Sequence, residues 1–360
     1  VTEDGLHRVV DRIQPLDATA MAAARARQDR LTKPPGALGR LEELSIWLAG
    51  VRASPLPAVH EKVIVTAAAD HGVARRGVSA YPPEVTGQMV LNFLAGGAAV
   101  NVLARLAGAR VLVVDAGVFA QPSDDPRLIV RAPQRGTADI SVGPAMPREV
   151  AIATLLHGAE LAREQAEGGT DVIGIGDMGI GNTTPSAAIT AVFTGLPPAT
   201  VTGRGTGIDD VVLAAKIRRI EQAIAVNMPD PTDGIDVLAK VGGLEIGLLA
   251  GVCLGAAAAR RPVMVDGFIA TAAALIAVAI APEAGAYLAA AHRSAEPGHD
   301  AALAHLGLRP LLDLQMRLGE GTGAALGIGL LEAAARVLSE MATFEEAGVA
   351  DSDSAAAVEG

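Results

Sequence analysis

Four short β-branched runs punctuate the middle of the chain: Val63–Thr66, Val111–Val114, Val172–Ile175 and Val263–Val265. Each leads into a turn carrying glycine or aspartate, and then into an alanine-rich stretch with helical periodicity. Strands that alternate with helices predict a parallel sheet covered on both faces, because parallel neighbours need a crossover and the crossover helix lies on a face. Residues 1–50 read as helical, broken at Lys33-Pro34-Pro35-Gly36, and helical periodicity returns over Gly323–Met341. Two uncharged runs, Ile246–Ala259 and Phe268–Ala281, fall short of the roughly 20 residues a spanning helix needs. Arg260, Arg261 and Asp266 lie between them, so buried core helices are the better reading than a membrane hairpin. The closing stretch 351–360, DSDSAAAVEG, is small and polar and predicts a disordered tail. No internal repeat is visible, and no segment is rich enough in Pro, Gly or Ser to mark a linker.

Composition narrows the function classes. Half of the 360 residues are hydrophobic, enough for a large core, yet only 2% are aromatic, which disfavours a base-stacking surface for single-stranded nucleic acid. The net charge of −11 repels polyanions at long range and argues against nucleic acid or an anionic membrane as partner. A single small phosphate remains compatible, since a local cradle of backbone N–H groups outweighs a weak distant field. The single cysteine, Cys253, allows no internal disulfide, which fits a reducing, cytoplasmic setting, and the N-terminal VTEDGLHRVVDR has no apolar signal core.

The richest local signal is GDMGIGNTTPS at 176–186, between the strand-like Asp171–Ile175 and the helix-like Ala187–Phe193. Glycines there permit close approach, and the following helix start with Asn182, Thr183 and Thr184 can hold a phosphate; a tight turn with a threonine N-cap is the plainer reading. Gly174, Gly176 and Gly179 also satisfy the G-x-G-x-x-G spacing of dinucleotide-binding turns, so a nicotinamide-dependent oxidoreductase is a rival. That rival wants an acidic residue at the end of the next strand, and Ala199–Arg204 contains none. A second glycine turn, TGRGTGIDD at 202–210, resembles another anion cradle with Arg204 and Lys216 as charge partners. A third, RLGEGTGAAL at 317–326, sets Glu320 between glycines at a helix start, where an acid is also welcome simply for the helix dipole. Asp70-His71-Gly72 follows the first strand, where α/β proteins place ligand residues, and His292 and His299 share the segment 291–299; structural roles suit these histidines better. The sequence lacks the histidine and cysteine spacings of a zinc site, a Walker A loop and a G-x-S-x-G elbow. Cys253 lies in an apolar run and reads as a buried, inert thiol.

Taken in order, LTKPPGALGRLEEL (31–44), ADHGVARRGVSAYPPEVTGQMVLNFLAGGAAVN (69–101), DAGV (115–118), GDMGIGNTTPSAA (176–188), TGRGTGIDD (202–210), KVGGLEIGLLAG (240–251), VDGFIATAAAL (265–275), HRSAEPGH (292–299) and MRLGEGTGAALG (316–327) run through nearly the whole chain. The ordered set resembles the nicotinate-nucleotide–dimethylbenzimidazole phosphoribosyltransferase family. One departure stands out: Asp177 occupies a position where the family's best-known members carry glutamate. The resemblance implies a Rossmann-like parallel sheet domain over 51–322, a small helical domain from 1–50 plus 323–350, and a homodimer. It implies transfer of the phosphoribosyl group of nicotinate mononucleotide to 5,6-dimethylbenzimidazole, with no cofactor or metal. Glu320 is then the general base and Asp177 a supporting carboxylate. The aromatic base would lie near Ser79, Tyr81, Gln88, Met89 and Leu318, although core packing is the plainer account of Met89 and Leu318. The nucleotide phosphate would rest on Gly176, Gly179, Asn182, Thr183, Gly203 and Gly205, with Lys216 and Ser294 close by. A nucleotide-binding protein without turnover is the remaining alternative.

Overall fold

The strand Lys62–Ala69 (β1) is buried along its whole length, as a central strand of a two-sided parallel sheet must be. The computed structural model describes residues 2–350, and the stretch 351–360 expected as a tail lies outside the described residues. Five further strands join β1: Arg110–Gly117 (β2), Leu128–Val130 (β3), Val172–Met178 (β4), Val263–Val265 (β5) and Leu288–Ala290 (β6). Their order is β3-β2-β1-β4-β5-β6 and every pairing is parallel, so the predicted α/β Rossmann-like class holds. The edge strands β3 and β6 were not anticipated. Each is three residues long, and Leu288-Ala289-Ala290 carries no β-branched residue, so hydrogen bonds from β5 order β6 rather than its own propensity.

The strand order reverses direction between β1 and β4, and a crevice forms there beyond the carboxyl ends of the strands. Asp70 follows β1, Asp177 lies at the end of β4, and Asp266 follows β5, so the topology gathers three carboxylates at one edge.

The two uncharged runs are core helices: Leu244–Ala258 and Phe268–Ile280 are buried over nearly their full lengths. Leu244–Ala258 packs on Arg148–Glu167 at unusually close range. A Cβ added to Gly158 would lie 1.9 Å from the Leu248 carbonyl oxygen, and one added to Gly251 would lie 2.0 Å from that of Leu155. Small residues let the two backbones meet without intervening side chains, which is why this chain builds a core with so few aromatics. By length and composition alone, Val85–Ala107 and Thr322–Glu340 are apolar enough to cross a bilayer; the first is interrupted at Gly96, whose φ is +78°.

Backbone contacts divide the chain into two units. One comprises Val1–Gln14 with Glu61–Ile328, the other Pro15–His60 with the chain from Gly329 onward. The sequence placed the boundaries at 50/51 and 322/323 and gave the first helix to the smaller unit. Glu3–Val10 instead belongs with the sheet unit, burying Leu6 and Val9, while Arg148 ties Glu3 (3.0 Å) to Asp233 (2.7 Å). The first two turns of Thr322–Glu340 also pack in the sheet unit, where Ala324 and Ile328 approach Gly174. The smaller unit has its own core of Ala20, Ala24, Ala49 and Leu338, a Gln28–Ser45 hydrogen bond, and a buried Lys33–Glu42 ion pair at 2.8 Å.

Replacing Gly251 with alanine forces the helix crossing apart. Overpacking of this kind destabilises by about 1–3 kcal/mol, and the urea midpoint of the variant is expected to fall accordingly; an unchanged midpoint contradicts the close crossing.

Candidate active site

Glu320 adopts φ +67°, a left-handed conformation unusual for a residue with a side chain, and its neighbours Gly319 and Gly321 lie at +84° and +99°. A non-glycine residue in this region stores about 1–2 kcal/mol of strain, so the surroundings must impose it. They do so from three adjacent strand ends. Thr66 Oγ1 on β1 donates to the Glu320 carbonyl (2.8 Å), and the Glu320 N–H donates to the Asp177 carbonyl on β4 (3.1 Å). Past the end of β5, the Asp266 carboxylate accepts from the N–H groups of Gly321 (3.0 Å), Gly323 (2.6 Å) and Ala324 (3.1 Å). Asp266 thereby serves both the turn and the first turn of helix Thr322–Glu340, whose N–H groups would otherwise be orphaned.

The turn forms one wall of a cavity of about 560 Å³ at the switch point. The β4 turn, Met178 to Thr183, at the start of helix Thr183–Thr194, lines the same cavity. Asn182 Nδ2 donates to Asp177 Oδ2 at 2.9 Å, while Asp177 Oδ1 is buried without a hydrogen-bond partner. Glu320 Oε2 is likewise buried and unpartnered. The rim is tied by Thr206, whose hydroxyl accepts from the Ala80 N–H (2.9 Å) and pairs with Ser79 Oγ (3.1 Å), and by Arg317, which donates to the Gly205 carbonyl (2.7 Å).

Electrostatics follow from this crowding. Burial raises the Asp177 carboxyl well above its ordinary 3.8, with Asp266, Glu245 and Glu320 adding repulsion against the help of Asn182. Burial also raises Glu320, opposed by a hydrogen bond from the Val100 backbone and reinforced by Asp266. His292 lies 3.5 Å from Asp266; burial alone would lower its imidazolium, but the carboxylate prevails and raises it. Lys216 is pushed down to about 8 by burial, partly offset by Glu296.

Of the residues singled out from sequence, Ser79, Tyr81, Met89, Asp177, Gly179, Asn182, Thr183, Gly205, Ser294, Leu318 and Glu320 all line this cavity. Tyr81 and Leu318 are more than half exposed, so core packing does not account for Leu318. Four others are placed elsewhere. Gln88 is exposed on helix Val85–Ala95 and is not among the lining residues. Gly176 lies beneath the Glu320–Gly321 peptide, and Gly203 lies against the Glu296 carboxylate. Lys216 sits behind Thr183, donating to its hydroxyl (2.7 Å) and to the Gly203 carbonyl (3.1 Å). The Gly205 N–H is already engaged by Glu296 Oε1 at 2.9 Å.

Sequence reading missed Asp266, His292, Glu296, Thr206 and Arg317. Asp266 had a signal, an aspartate one residue past a strand in an α/β protein. His292 lines the cavity, whereas His299 takes the structural role expected of both: Thr271 and the Ser294 N–H hold its ring, and burial lowers it to about 3. His71 is also structural, buried against Glu245 at 2.7 Å, and Asp70 caps the Phe119 N–H (2.8 Å). Cys253 is buried, and burial lifts its thiol to about 12, as an inert thiol requires. Among the described residues no His, Cys, Asp and Glu cluster has the arrangement of a metal site.

Comparison with known proteins converges on one family. A family model described as phosphoribosyltransferase matches residues 13–349. The chain is 60% identical over 344 residues to the nicotinate-nucleotide–dimethylbenzimidazole phosphoribosyltransferase of Roseiflexus sp. (strain RS-1), covering 96% of this chain and 98% of that protein. It is 57% identical to the protein of the same name from Geobacter sulfurreducens, across 97% and 99%. A crystal structure of the enzyme so named from Thermus thermophilus superimposes with a TM-score of 0.88 at 48% identity, covering 93% of this chain and all of that one.

The raised carboxyl of Asp177 fixes a sign for stability. A buried acid with a raised folded value is most favourable when protonated, so its contribution is lost as pH climbs above the unfolded value. Asp177→Asn removes that loss, by up to about 1.4 kcal/mol per pH unit. The melting temperature of the variant relative to wild type should therefore rise from pH 5 to pH 8; a constant difference refutes the reading.

Proposed function

The chain belongs to the nicotinate-nucleotide–dimethylbenzimidazole phosphoribosyltransferase family, and from that premise we propose that it transfers the phosphoribosyl group of nicotinate mononucleotide to 5,6-dimethylbenzimidazole, releasing nicotinate and α-ribazole 5′-phosphate for cobalamin lower-ligand synthesis. The observation that carries the reading is Glu320: a carboxylate with a buried, unpartnered oxygen, held in a left-handed turn facing the cavity.

The chemistry asks for one base. A benzimidazole nitrogen attacks the ribose C1′ as nicotinate departs. The pyridinium nitrogen of the nucleotide is cationic, and departure neutralises it, so the leaving group needs no acid. Bonding at one ring nitrogen makes the other ring N–H acidic, and Glu320 accepts that proton. Attack from the face opposite nicotinate inverts the sugar carbon and gives the α-riboside. Positive charge develops on the ribose in the transition state, and Asp177, at the cavity wall at the end of β4, opposes that charge in its ionised form, which burial makes available only at higher pH.

The flat base fits between Met89, Tyr81 and Leu318, with Ser79 as a polar contact at the rim. The phosphate fits the start of helix Thr183–Thr194, with Gly179, Asn182, Thr183 and Ser294 around it. Lys216, reaching Thr183 from behind, adds positive charge without a direct contact. Gly205 shapes the rim, while Gly176 and Gly203 support the site by letting backbone and carboxylate approach closely. Holding both substrates this way can supply about 7–11 kcal/mol of the barrier as effective molarity. The phosphate stays intact throughout, so the reaction calls for no metal. The family also suggests a homodimer acting in the cytoplasm, and sedimentation of the purified protein reads the first of these.

Purified protein incubated with nicotinate mononucleotide and 5,6-dimethylbenzimidazole, without added metal, should release nicotinate and a ribazole phosphate in equal amounts by mass spectrometry. Neither product from folded protein would leave a nucleotide-binding protein without turnover. Glu320→Gln should keep substrate binding and lose about 10²–10⁴-fold in kcat. Because the Glu320 carboxyl is raised above its ordinary 4.5, wild-type kcat should fall with decreasing pH along a limb centred above that value, and this limb should be absent from the residual rate of the variant.

A further inference from the structure

Asp266 is fully buried and does not line the cavity, yet it holds the backbone directly after Glu320. Its Oδ2 accepts from Gly321, the residue directly after Glu320, and its Oδ1 accepts from Gly323 and Ala324. No other side chain holds the turn from its C-terminal side with charge-assisted bonds among the described residues; Thr66 holds it through the Glu320 carbonyl. We propose that Asp266 is the positioning residue of the transfer reaction, a buried anion that locks the Gly319–Gly321 turn in its left-handed form and sets the basicity of Glu320. The inference rests on the assignment of Glu320 as the base.

Two physical arguments lead there. The first is geometric. A left-handed glutamate relaxes unless its flanking peptides are tied down, and three N–H groups converging on one carboxylate are a strong tie, since bonds to an ionised acceptor are roughly twice as strong as neutral ones. Release of Gly321 would let the Glu320 carboxylate drift, and displacement of a catalytic group by 1 Å can cost about 10²-fold in rate. The second is electrostatic. The titratable and charged groups that line the cavity with Glu320 are Asp177 from β4, His292 and Glu296 after β6, and Arg317 within its own loop, and Asp266 stands behind the turn past the end of β5. Behind Asp177 stands Glu245, itself paired with His71. Asp266 disfavours a second negative charge on Glu320, so Glu320 gains basicity. His292, at 3.5 Å from Asp266, moderates this when its ring is protonated, a form that the Asp266 carboxylate favours.

The test is Asp266→Asn in the full-length protein, with kcat and both KM values measured across pH. Asparagine keeps the shape and one acceptor oxygen but removes the charge and turns a donor toward one of the three N–H groups. Expected are a kcat at least about tenfold lower with each KM nearly unchanged, and an acid limb moved down by about one pH unit, because Glu320 has lost a repelling neighbour. A purely structural role would lower the melting temperature without moving that limb. An unmoved limb, or a raised KM with normal kcat, overturns the inference. Should Asp266→Asn fail to fold by circular dichroism, His292→Asn decides instead. That variant keeps the three hydrogen bonds but strips the counter-charge, so the acid limb must move up; an unmoved limb overturns the proposal. Glu320→Gln, run in parallel, separates the premises. If it is inactive while Asp266→Asn behaves as wild type, only the positioning role is lost; if it retains full kcat, the base assignment fails and the positioning role with it.

Discussion

At Gly176 the backbone of β4 passes so close to the Glu320–Gly321 peptide that no side chain fits between them: an added Cβ would lie 2.1 Å from the Gly321 nitrogen and 2.3 Å from the Glu320 carbonyl carbon. That approach brings a turn from residue 320 into hydrogen-bonding range of β1, β4 and β5 at once. The left-handed glutamate, the start of helix Thr322–Glu340 and one wall of the cavity all follow from it. Gly176, which the family resemblance placed at the phosphate, is therefore better understood as the space that lets the Gly319–Gly321 turn reach the sheet.

The same crowding explains an arrangement that folding alone would not favour. Burial raises Asp177 and Glu320, with repulsion from Asp266 on both and from Glu245 on Asp177, and one buried oxygen on each of Asp177, Glu245 and Glu320 has no hydrogen-bond partner. Buried unpartnered carboxylates destabilise a protein, so the persistence of those on Asp177 and Glu320 at a cavity wall marks a functional demand. In the role proposed for Glu320, accepting a proton from a heterocycle, a basicity above that of a solvated glutamate is useful, and burial with repulsion from Asp266 raises it in that direction. His292 and the three N–H groups on Asp266 keep the cluster from becoming untenable.

Floor and rim of the cavity differ in kind. The floor stands on strand ends whose register is fixed by the sheet. The rim is made of loops joined by a few contacts, Thr206 to Ser79 and Ala80, and Arg317 to Gly205. The proposed chemistry, which depends on close placement, would sit on the floor, and the proposed recognition of a flat base would sit at the rim, where Tyr81 and Leu318 remain accessible.

The sequence by itself determined the α/β class, four of the six strands and the core helices, because each rests on local information; eleven of the twenty-four cavity-lining residues were named through the ordered motifs of the family resemblance. Periodicity of apolar residues follows from strand and helix geometry, and glycine-rich turns with helix starts identify themselves within a dozen residues. The left-handed turn could be suspected from two glycines flanking Glu320. Only the tertiary structure decided the rest. Strands β3 and β6 are too short to show a pattern, and β6 exists through hydrogen bonds from β5. Gly176, Gly203 and Lys216 line up in sequence with phosphate ligands, yet in space they stand one layer behind, since what a residue faces depends on which chain segment lies against it. Asp266 and Glu320 are separated by more than fifty residues, and their coupling exists only because a parallel sheet sets the ends of β4 and β5 side by side.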